Sequence, residues 1–247
     1  MAKPEQAAFP PGLDPKGHSL FLDFDGTLVD IADRPDSIVV SPDLPHLLDA
    51  LRDALDDRLA ILTGRTIAEM TEFLPDYDGT IIGHHGAQVR RDGIVQDRTT
   101  LSEGLAALSR QAQEFCAEDE GLLYETKPFG FAIHYRAAPQ AEEAVADFLS
   151  RGTFGIDDVV IEPAKMALEV KPKGIDKGEA LTVFNEVIGH GGTVPLHVGD
   201  DISDEAAFRS AAALGGFGVR VGPPCTTAQY NLTSPLAVRC WLAEVML

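Results

Sequence analysis

Two aspartates directly follow the first apolar segment of the chain. Residues 20–22 read Leu-Phe-Leu, Asp23 and Asp25 flank a phenylalanine, and Gly26 and Thr27 come next. Two ionised carboxylates at the end of a buried strand are costly unless a cation compensates them, and a divalent cation with oxygen ligands would do so. Asp23 could also accept a phosphoryl group as a nucleophile. A strand that ends in a solvated turn explains the same residues, so this segment alone leaves both interpretations open.

Polar groups recur where other apolar segments end or where a helix is expected to begin. They are Thr63 and Gly64 after segment 59–62, Asp200, Asp201 and Asp204 after segment 194–198, and Lys177 in the first turn of a predicted helix. Ligands bind at the carboxyl edge of an open parallel sheet. We therefore expect these groups to share one site with Asp23 and Asp25.

The acidic residues among them suit a magnesium ion, which prefers oxygen ligands and retains several waters. The sequence favours Asp23, the backbone carbonyl of Asp25, and Asp200 as ligands. Asp201 and Asp204 are further candidates: one could bind the metal or orient its waters while the other caps a helix. Such an ion would offset the repulsion between an attacking carboxylate and a phosphate, so we predict Mg²⁺ as a cofactor.

The remaining groups could bind phosphate and move protons. Thr63 could donate a hydrogen bond to a phosphoryl oxygen, and Lys177 would supply a compact positive charge at the amino end of a helix. Lys173 competes for the second role, but the helix-capping pattern favours Lys177. Asp25 could protonate the leaving alcohol and then deprotonate the water that hydrolyses an aspartyl phosphate.

Strand and helix patterns alternate on both sides of a central block, which is typical of a parallel sheet with crossover helices. We predict an α/β fold: a Rossmann-like doubly wound, mostly parallel sheet formed by residues 18–101 and 172–247. Residues 102–171 lack this alternation and are expected to form an inserted α+β domain. Residues 1–17 are rich in proline and are expected to form a flexible tail.

The strands of the inserted block alternate between apolar and charged residues, which predicts a sheet with one buried face. The charged positions are Glu125, Lys127, His134, Arg136, Lys165 and Glu169. A solvated sheet face explains them as well as a ligand-binding face does, and on the residues alone the solvated face is favoured.

The composition excludes several classes of partner. The net charge of −19 should repel nucleic acids and anionic membranes. The three cysteines are far apart in sequence, which favours a reducing compartment. No apolar run approaches the length of a membrane span, and the proline-rich start lacks the core of a secretion signal. We expect a cytoplasmic protein that acts on a small molecule.

Taken together, these motifs resemble those of the haloacid dehalogenase superfamily of phosphatases. The four segments, in order, are Asp23–Thr27, Thr63–Gly64, Lys177 and Gly199–Asp204. The inserted block lies between the second and third, as in members with a cap at that place. Residues 125–127, 134–136 and 165–174 are similar to the trehalose-6-phosphate phosphatase family, and the resemblance extends over about residues 18–245.

The resemblance implies a Mg²⁺-dependent hydrolysis of trehalose 6-phosphate through an aspartyl phosphate on Asp23, and a functional link to a trehalose-phosphate synthase. It also implies that the polar face of the cap contacts the sugar, through Glu125, Lys127, Arg136, Lys165 and Glu169.

Gly64, Arg65 and His85 are further candidate substrate contacts in the first domain. Arg65 could instead hold the loop of the first motif or pair with Glu69 on its own helix, and we favour a structural role for it. His85 lies in a glycine-flanked loop, for which plain loop structure is the alternative.

Other activities stay open alongside this one. A phosphatase for another sugar phosphate, such as sucrose phosphate, and a phosphohexomutase would share the same motifs and a similar cap. A sugar-phosphate sensor would bind without turnover. Asp23, Asp25 and Lys177 argue against a sensor, because binding alone needs neither a nucleophile nor a general acid.

Overall fold

The computed structural model describes residues 8–32, 34, 37–99, 102–127, 129–189, 192–223 and 227–244. Their contacts divide the chain into two units: one formed by residues up to Arg98 and from Asp176 onward, and a second formed by Thr99–Ile175. Leu101, at the predicted domain boundary, lies outside the described residues.

The described residues form twelve strands, seven α-helices and two short 3₁₀ helices, His84–Gly86 and Pro139–Ala141. The strands are β1 (His18–Leu22), β2 (Leu59–Leu62), β3 (Thr80–Gly83), β4 (Gln88–Arg91), β5 (Ile94–Asp97), β6 (Leu123–Lys127), β7 (Gly130–His134), β8 (Val159–Ala164), β9 (Ala167–Pro172), β10 (Val194–Gly199), β11 (Phe217–Val221) and β12 (Tyr230–Leu232). The helices are α1 (Leu44–Ala54), α2 (Ile67–Phe73), α3 (Glu103–Ala117), α4 (Glu142–Gly152), α5 (Lys177–Ile188), α6 (Asp204–Ala213) and α7 (Pro235–Ala243).

The first unit is built on one eight-stranded sheet in the order β12-β11-β10-β1-β2-β3-β4-β5. The six strands from β12 to β3 are parallel to their neighbours, and β4 and β5 form an antiparallel hairpin at one edge. The predicted mostly parallel α/β sheet is confirmed. The carboxyl ends of β1, β2 and β10, which are neighbours in this order, therefore lie at the same edge.

Both faces of this sheet are covered by helices, which explains why the parallel strands read as continuous apolar runs. Leu20 and Leu22 of β1 belong to a buried cluster shared with α1, α2 and α7. Phe21 points to the other face and belongs to a cluster shared with α5 and α6. Successive side chains of a strand point to opposite faces, so β1 packs against the helices on both sides of the sheet. This packing fixes the register of β1 with its neighbours.

Two helix starts fix the orientation of residues at the sheet edge. Thr66 caps α2 by accepting from the backbone N–H of Glu69, whose side chain accepts from the Thr66 N–H in return, which forms a capping box. Asp176 caps α5 by accepting from the N–H groups of Gly178 and Glu179. This cap makes Lys177 the first residue of α5.

The second unit contains a four-stranded antiparallel sheet in the order β6-β7-β9-β8. Tyr124, Ile133 and Leu168 lie opposite one another across β6, β7 and β9, and they pack with α3 and α4 in a separate buried cluster. Glu125 and Glu169 flank Ala132 on the other face.

Two strands of this unit differ from what the alternating sequence pattern predicts. The pattern predicts strands over about residues 129–136 and 165–171, whereas β7 ends at His134 and β9 begins at Ala167. Arg136 therefore lies in a turn after β7, and Lys165 lies in the turn between β8 and β9. Met166 in that turn has φ 57°, a left-handed conformation that ends the ladder.

Residues 1–7 of the predicted flexible tail lie outside the described residues, and residues 8–17 contact the rest of the first unit. Ala8 forms a β-bridge with Tyr230 of β12, and the indole N–H of Trp241 donates to the Pro11 carbonyl at 3.1 Å. A proline has no N–H to donate, but its carbonyl still accepts hydrogen bonds. In the part of the chain that is described, no helix is both long and apolar enough to cross a bilayer.

Candidate active site

A buried ion network lies at the carboxyl edge of the first sheet. The Lys177 Nζ, at the start of α5, is 2.7 Å from the Asp23 Oδ1 after β1 and 2.7 Å from the Asp204 Oδ1 at the start of α6. These three side chains are between 0% and 6% exposed. The sequence motifs after β1 and β10 and at the start of α5 therefore meet at one point.

Burial and the mutual contacts shift the pKa values of this network in different directions. Burial raises the pKa of Asp23 well above its usual range, although Lys177 opposes the shift. Burial disfavours the charged form of Lys177, but the carboxylates of Asp23 and Asp204 outweigh it and raise its pKa. Burial also opposes the ionisation of Asp204, yet Lys177 and a hydrogen bond from His197 hold the pKa of Asp204 low. Lys177 and Asp204 therefore form the ion pair of this network, whereas burial, with the nearby Asp204 carboxylate, keeps the pKa of Asp23 high.

Two glycines let the carboxylates approach the backbone at this point. Gly26 has φ 71°, and a Cβ there would overlap the carboxylate of Asp200. A Cβ at Gly199 would overlap the carboxylate of Asp204. Glycine is required at both positions because the aspartate side chains occupy the space that another residue would fill.

Asp200 is half-buried beside this network. Burial raises its pKa to about 6, and the neighbouring carboxylates of Asp204 and Asp201 act in the same direction. One oxygen each from Asp23, Asp200 and Asp204 lies within 4.8 Å of the others. Among these three carboxylates and Lys177, two negative charges have no countercharge when all are ionised. A divalent cation would supply that charge, and an all-oxygen donor set suits Mg²⁺.

The predicted metal residues Asp25 and Asp201 have different surroundings. Both carboxylate oxygens of Asp25 accept from Arg65, from Nε at 2.7 Å and from Nη2 at 2.8 Å. The side chain of Asp201 is exposed, and its backbone N–H donates to the Asp204 Oδ2 at 3.0 Å. Their carboxylates therefore stand outside the three-oxygen cluster.

Arg65 occupies a central place between the first two motifs. Besides its fork on Asp25, its Nη1 lies 3.8 Å from the Glu69 carboxylate, and its guanidinium stacks on Phe73 at 4.7 Å. Its side chain is only 10% exposed. The two structural roles that the sequence suggested for Arg65 are both present in these contacts, and its assignment as a substrate contact stays a prediction.

Thr63 is fully buried at the end of β2, and its Oγ1 accepts from the N–H of Arg65 at 3.2 Å. That contact leaves the hydroxyl hydrogen free to donate elsewhere. The imidazole of His85 lies against Gly64, where a Cβ would come within 2.8 Å of the ring. His85 sits in left-handed backbone with φ 56°, held by its N–H to the Thr63 carbonyl at 2.9 Å.

These groups surround a cavity of about 380 Å³ within the first unit. Its lining residues are Asp23, Asp25, Ile31, Gly64, His85, Lys177, Asp200, Asp201 and Ser203. A larger cavity of about 540 Å³ lies at the amino end of β3 and is lined by Arg52, Asp57, Arg91 and Asp92 among others. The arginines of this larger cavity pair with aspartates that also line it. None of the motif residues lines it, so the smaller cavity is the candidate active site.

The second unit carries a small polar network on the charged face of its sheet. Glu125 accepts from the Lys127 Nζ at 2.6 Å and contacts the His134 Nε2 at 2.7 Å. Burial opposes ionisation of Glu125, but the hydrogen bonds from Lys127 and His134 outweigh it and lower its pKa. Glu169 of β9 lies on the same face, while Arg136 and Lys165 are exposed in the turns that follow and precede strands.

Sequence reasoning missed His197. It lies within β10, fully buried, with its Nε2 2.7 Å from the Asp204 Oδ1. The available signal was a histidine in the middle of an apolar strand that ends at the site. The structure also separates the two lysines that competed for one role: Lys173 is exposed and its Nζ donates to the Asp157 carbonyl at 2.8 Å, whereas Lys177 contacts Asp23.

The chain matches the family described as trehalose-phosphatase over residues 21–235. It is 34% identical over 232 residues to "Trehalose-6-phosphate phosphatase" of Escherichia coli (strain K12), which covers 92% of this chain and 86% of that protein. It is 34% identical over 233 residues to "Probable trehalose-phosphate phosphatase" of Sinorhizobium fredii, covering 93% and 88% respectively.

A solved structure with the same fold is that of Aspergillus fumigatus trehalose-6-phosphate phosphatase. It matches with a TM-score of 0.79 at 22% identity and covers 95% of this chain and 98% of that chain. At this identity the comparison shows a shared fold.

Proposed function

We propose that this chain, which belongs to the trehalose-phosphatase family, hydrolyses trehalose 6-phosphate to trehalose and phosphate. Members of this family are phosphoric monoester hydrolases. The observation that supports the proposal best is the contact of Lys177 with both Asp23 and Asp204, beside Asp200, at one strand edge. A buried nucleophile, a fixed cation and an acidic cluster are what phosphoryl transfer to a carboxylate requires.

In the proposed reaction, a carboxylate oxygen of Asp23 attacks phosphorus. The new bond to Asp23 forms as the bond between phosphorus and the sugar oxygen breaks, which leaves an aspartyl phosphate and the sugar. Lys177 holds the Asp23 carboxylate at 2.7 Å and balances charge on the transferring group. The free hydroxyl hydrogen of Thr63 donates to a phosphoryl oxygen. Water then attacks phosphorus, breaks the bond to Asp23 and releases phosphate.

Asp25 moves the proton in both steps. As an acid it protonates the departing sugar oxygen, and as a base it takes a proton from the attacking water. Each oxygen of Asp25 accepts one hydrogen bond from Arg65 and keeps a second lone-pair site that can face the leaving oxygen. The two hydrogen bonds from Arg65 keep the Asp25 carboxyl group oriented between turnovers, which reduces the entropic cost of orienting it for proton transfer.

Asp23, Asp200 and Asp204 would hold a Mg²⁺ ion, with the Asp25 carbonyl as a further ligand. When bound, the ion supplies Lewis-acid stabilisation of the phosphoryl oxygens and neutralises the excess negative charge of the carboxylates. Burial is the main cause of the raised pKa values of Asp23 and Asp200, and the neighbouring carboxylates act in the same direction. Metal binding would therefore favour the ionised, nucleophilic form of Asp23.

The sugar is recognised, in this proposal, by the polar face of residues 102–171. Glu125, Lys127 and Glu169 offer ionised donors and acceptors of alternating sign, which suit a ligand rich in hydroxyl groups. Arg136 and Lys165, in the adjoining turns, and Gly64, Arg65 and His85, on the core domain, are the other proposed contacts. A cytoplasmic location and a functional link to a trehalose-phosphate synthase stay predictions.

The direct test measures phosphate release from a panel of substrates, with Mg²⁺ and with a chelator. The panel contains trehalose 6-phosphate, sucrose 6-phosphate, a hexose monophosphate with and without a bisphosphate activator, and a small aryl phosphate. We expect trehalose 6-phosphate to be preferred and turnover to need the metal. Preference for sucrose 6-phosphate, or transfer that depends on the bisphosphate, would replace the proposal with one of the related activities.

A further inference from the structure

One polar side chain lies inside the apolar layer that supports the site. His197 is fully buried in β10 between Leu196 and Val198. It is paired in register with Phe21 of β1 and Gly218 of β11, and its ring packs on Phe208 at 5.4 Å. A leucine or phenylalanine would suit this layer better, because a buried imidazole costs free energy unless its polar atoms are satisfied.

The contact that accounts for a histidine here is with Asp204. Its Nε2 lies 2.7 Å from the Asp204 Oδ1, the same oxygen that accepts from the Lys177 Nζ. An ionised carboxylate only accepts, so Nε2 carries the hydrogen and donates it. The other oxygen of Asp204 accepts from the Asp201 N–H at 3.0 Å.

Each side of the Asp204 carboxylate is therefore fixed by a different element. The Gly199 backbone closes one side, the Asp201 N–H holds Oδ2, and His197 holds Oδ1 from within the sheet. The terminal torsion of an aspartate is broad, so without His197 the Oδ1 would rotate with Lys177 as its remaining side-chain partner. Lys177 would follow that rotation and move relative to Asp23.

We propose that His197 is a positioning residue for phosphoryl transfer: it orients Asp204, which in turn keeps the Lys177 ammonium against the nucleophile Asp23. The inference rests on the proposed function, because it assigns a role to Lys177 in that reaction. His197 does not line the cavity, so it acts on the geometry of the nucleophile and not on the binding of substrate.

The test compares His197→Leu, which keeps an apolar packing group but loses the donor, with His197→Gln, whose amide N–H can occupy the position of Nε2. Losing a hydrogen bond to a charged group predicts a fall in kcat of about tenfold to a hundredfold for His197→Leu, with KM changed less than about threefold. His197→Gln should restore most of the lost rate. Rates are normalised to the folded fraction from the fluorescence of Trp241, the single tryptophan of the chain, which is buried in the first unit.

A purely structural role predicts a different result: after normalisation, both variants would turn over like the wild type. That outcome, or an equal loss of kcat in both variants, overturns the inference. If His197→Leu does not fold, His197→Asn replaces it, because its shorter amide cannot reach Asp204. A wild type that releases no phosphate from trehalose 6-phosphate rejects the proposed substrate instead, and the same variants are then compared on the aryl phosphate.

Discussion

Replacement of Lys177 by methionine tests the charge balance of the site, because methionine keeps the length of the side chain and removes only the ammonium. In the wild type this ammonium touches two carboxylates at 2.7 Å, and none of the three groups is more than 6% exposed. Asp204 would keep its hydrogen bonds from His197 and from the Asp201 N–H, whereas Asp23 would lose its side-chain cation.

The size of the effect follows from that arrangement. Removing one partner of a buried ion pair costs about 3–5 kcal/mol, because the other charge is left buried without compensation. We expect Lys177→Met to lower the free energy of unfolding of the first unit by about 4 kcal/mol in metal-free buffer at neutral pH. A domain has about 5–15 kcal/mol in total, so the variant should still fold but with a much lower urea midpoint. The loss should shrink in acid, because protonated carboxyl groups need no countercharge.

Urea unfolding followed by Trp241 fluorescence measures this quantity for the first unit, with Lys16→Met as the matched control. Lys16 is exposed in the same unit, and its replacement should leave the midpoint unchanged. Mg²⁺ should stabilise Lys177→Met more than it stabilises the wild type, because the ion supplies charge to the same carboxylates. A Lys177→Met midpoint equal to that of Lys16→Met in chelator would refute the charge network as described.

Three further changes test other parts of the site. Asp200→Asn removes a carboxyl whose pKa is raised from 3.8 to about 6. In metal-free buffer the wild type should therefore lose stability relative to the variant as pH rises from about 4 to 6, by about 1–3 kcal/mol above that window. Urea midpoints of the two proteins that stay parallel across this pH range would exclude the effect. Arg65→Lys keeps the charge but not the fork on Asp25, so kcat should fall about tenfold with the metal dependence unchanged; a wild-type kcat would remove Arg65 from the mechanism. Glu169→Ala should slow hydrolysis of trehalose 6-phosphate at least about tenfold more than that of an aryl phosphate, and equal losses would mean that the cap does not recognise the sugar.

The positions of the motif residues could be predicted because they depend on simple sequence patterns. An apolar run that ends in Asp23, another that ends in Thr63 and a third that ends in Asp200 define the carboxyl edge of a parallel sheet. The capping pattern before Lys177 fixes where α5 begins. Each of these signals lies within a few consecutive residues, so a single sequence is enough to locate the motif residues at the sheet edge.

What could not be predicted depends on the reach of side chains in three dimensions. The fork of Arg65 onto Asp25 joins residues that are 40 positions apart, and the competing local partner Glu69 is only four residues away. His197 looks like part of an apolar strand until Asp204 is seen beside it. The contacts of Ala8 and Pro11 use backbone carbonyls, which leave no pattern in the sequence.

The central claim is that Asp23 carries the phosphoryl group during turnover. It is tested most directly by quenching the enzyme in acid while it turns over phosphorus-labelled trehalose 6-phosphate with Mg²⁺. The labelled residue is then identified by borohydride reduction and peptide mapping. We predict label on the peptide that contains Asp23, reduction of that residue to homoserine, and no label or turnover in Asp23→Asn. Label on another residue, or an Asp23→Asn variant that hydrolyses the substrate at the wild-type rate, would contradict the account.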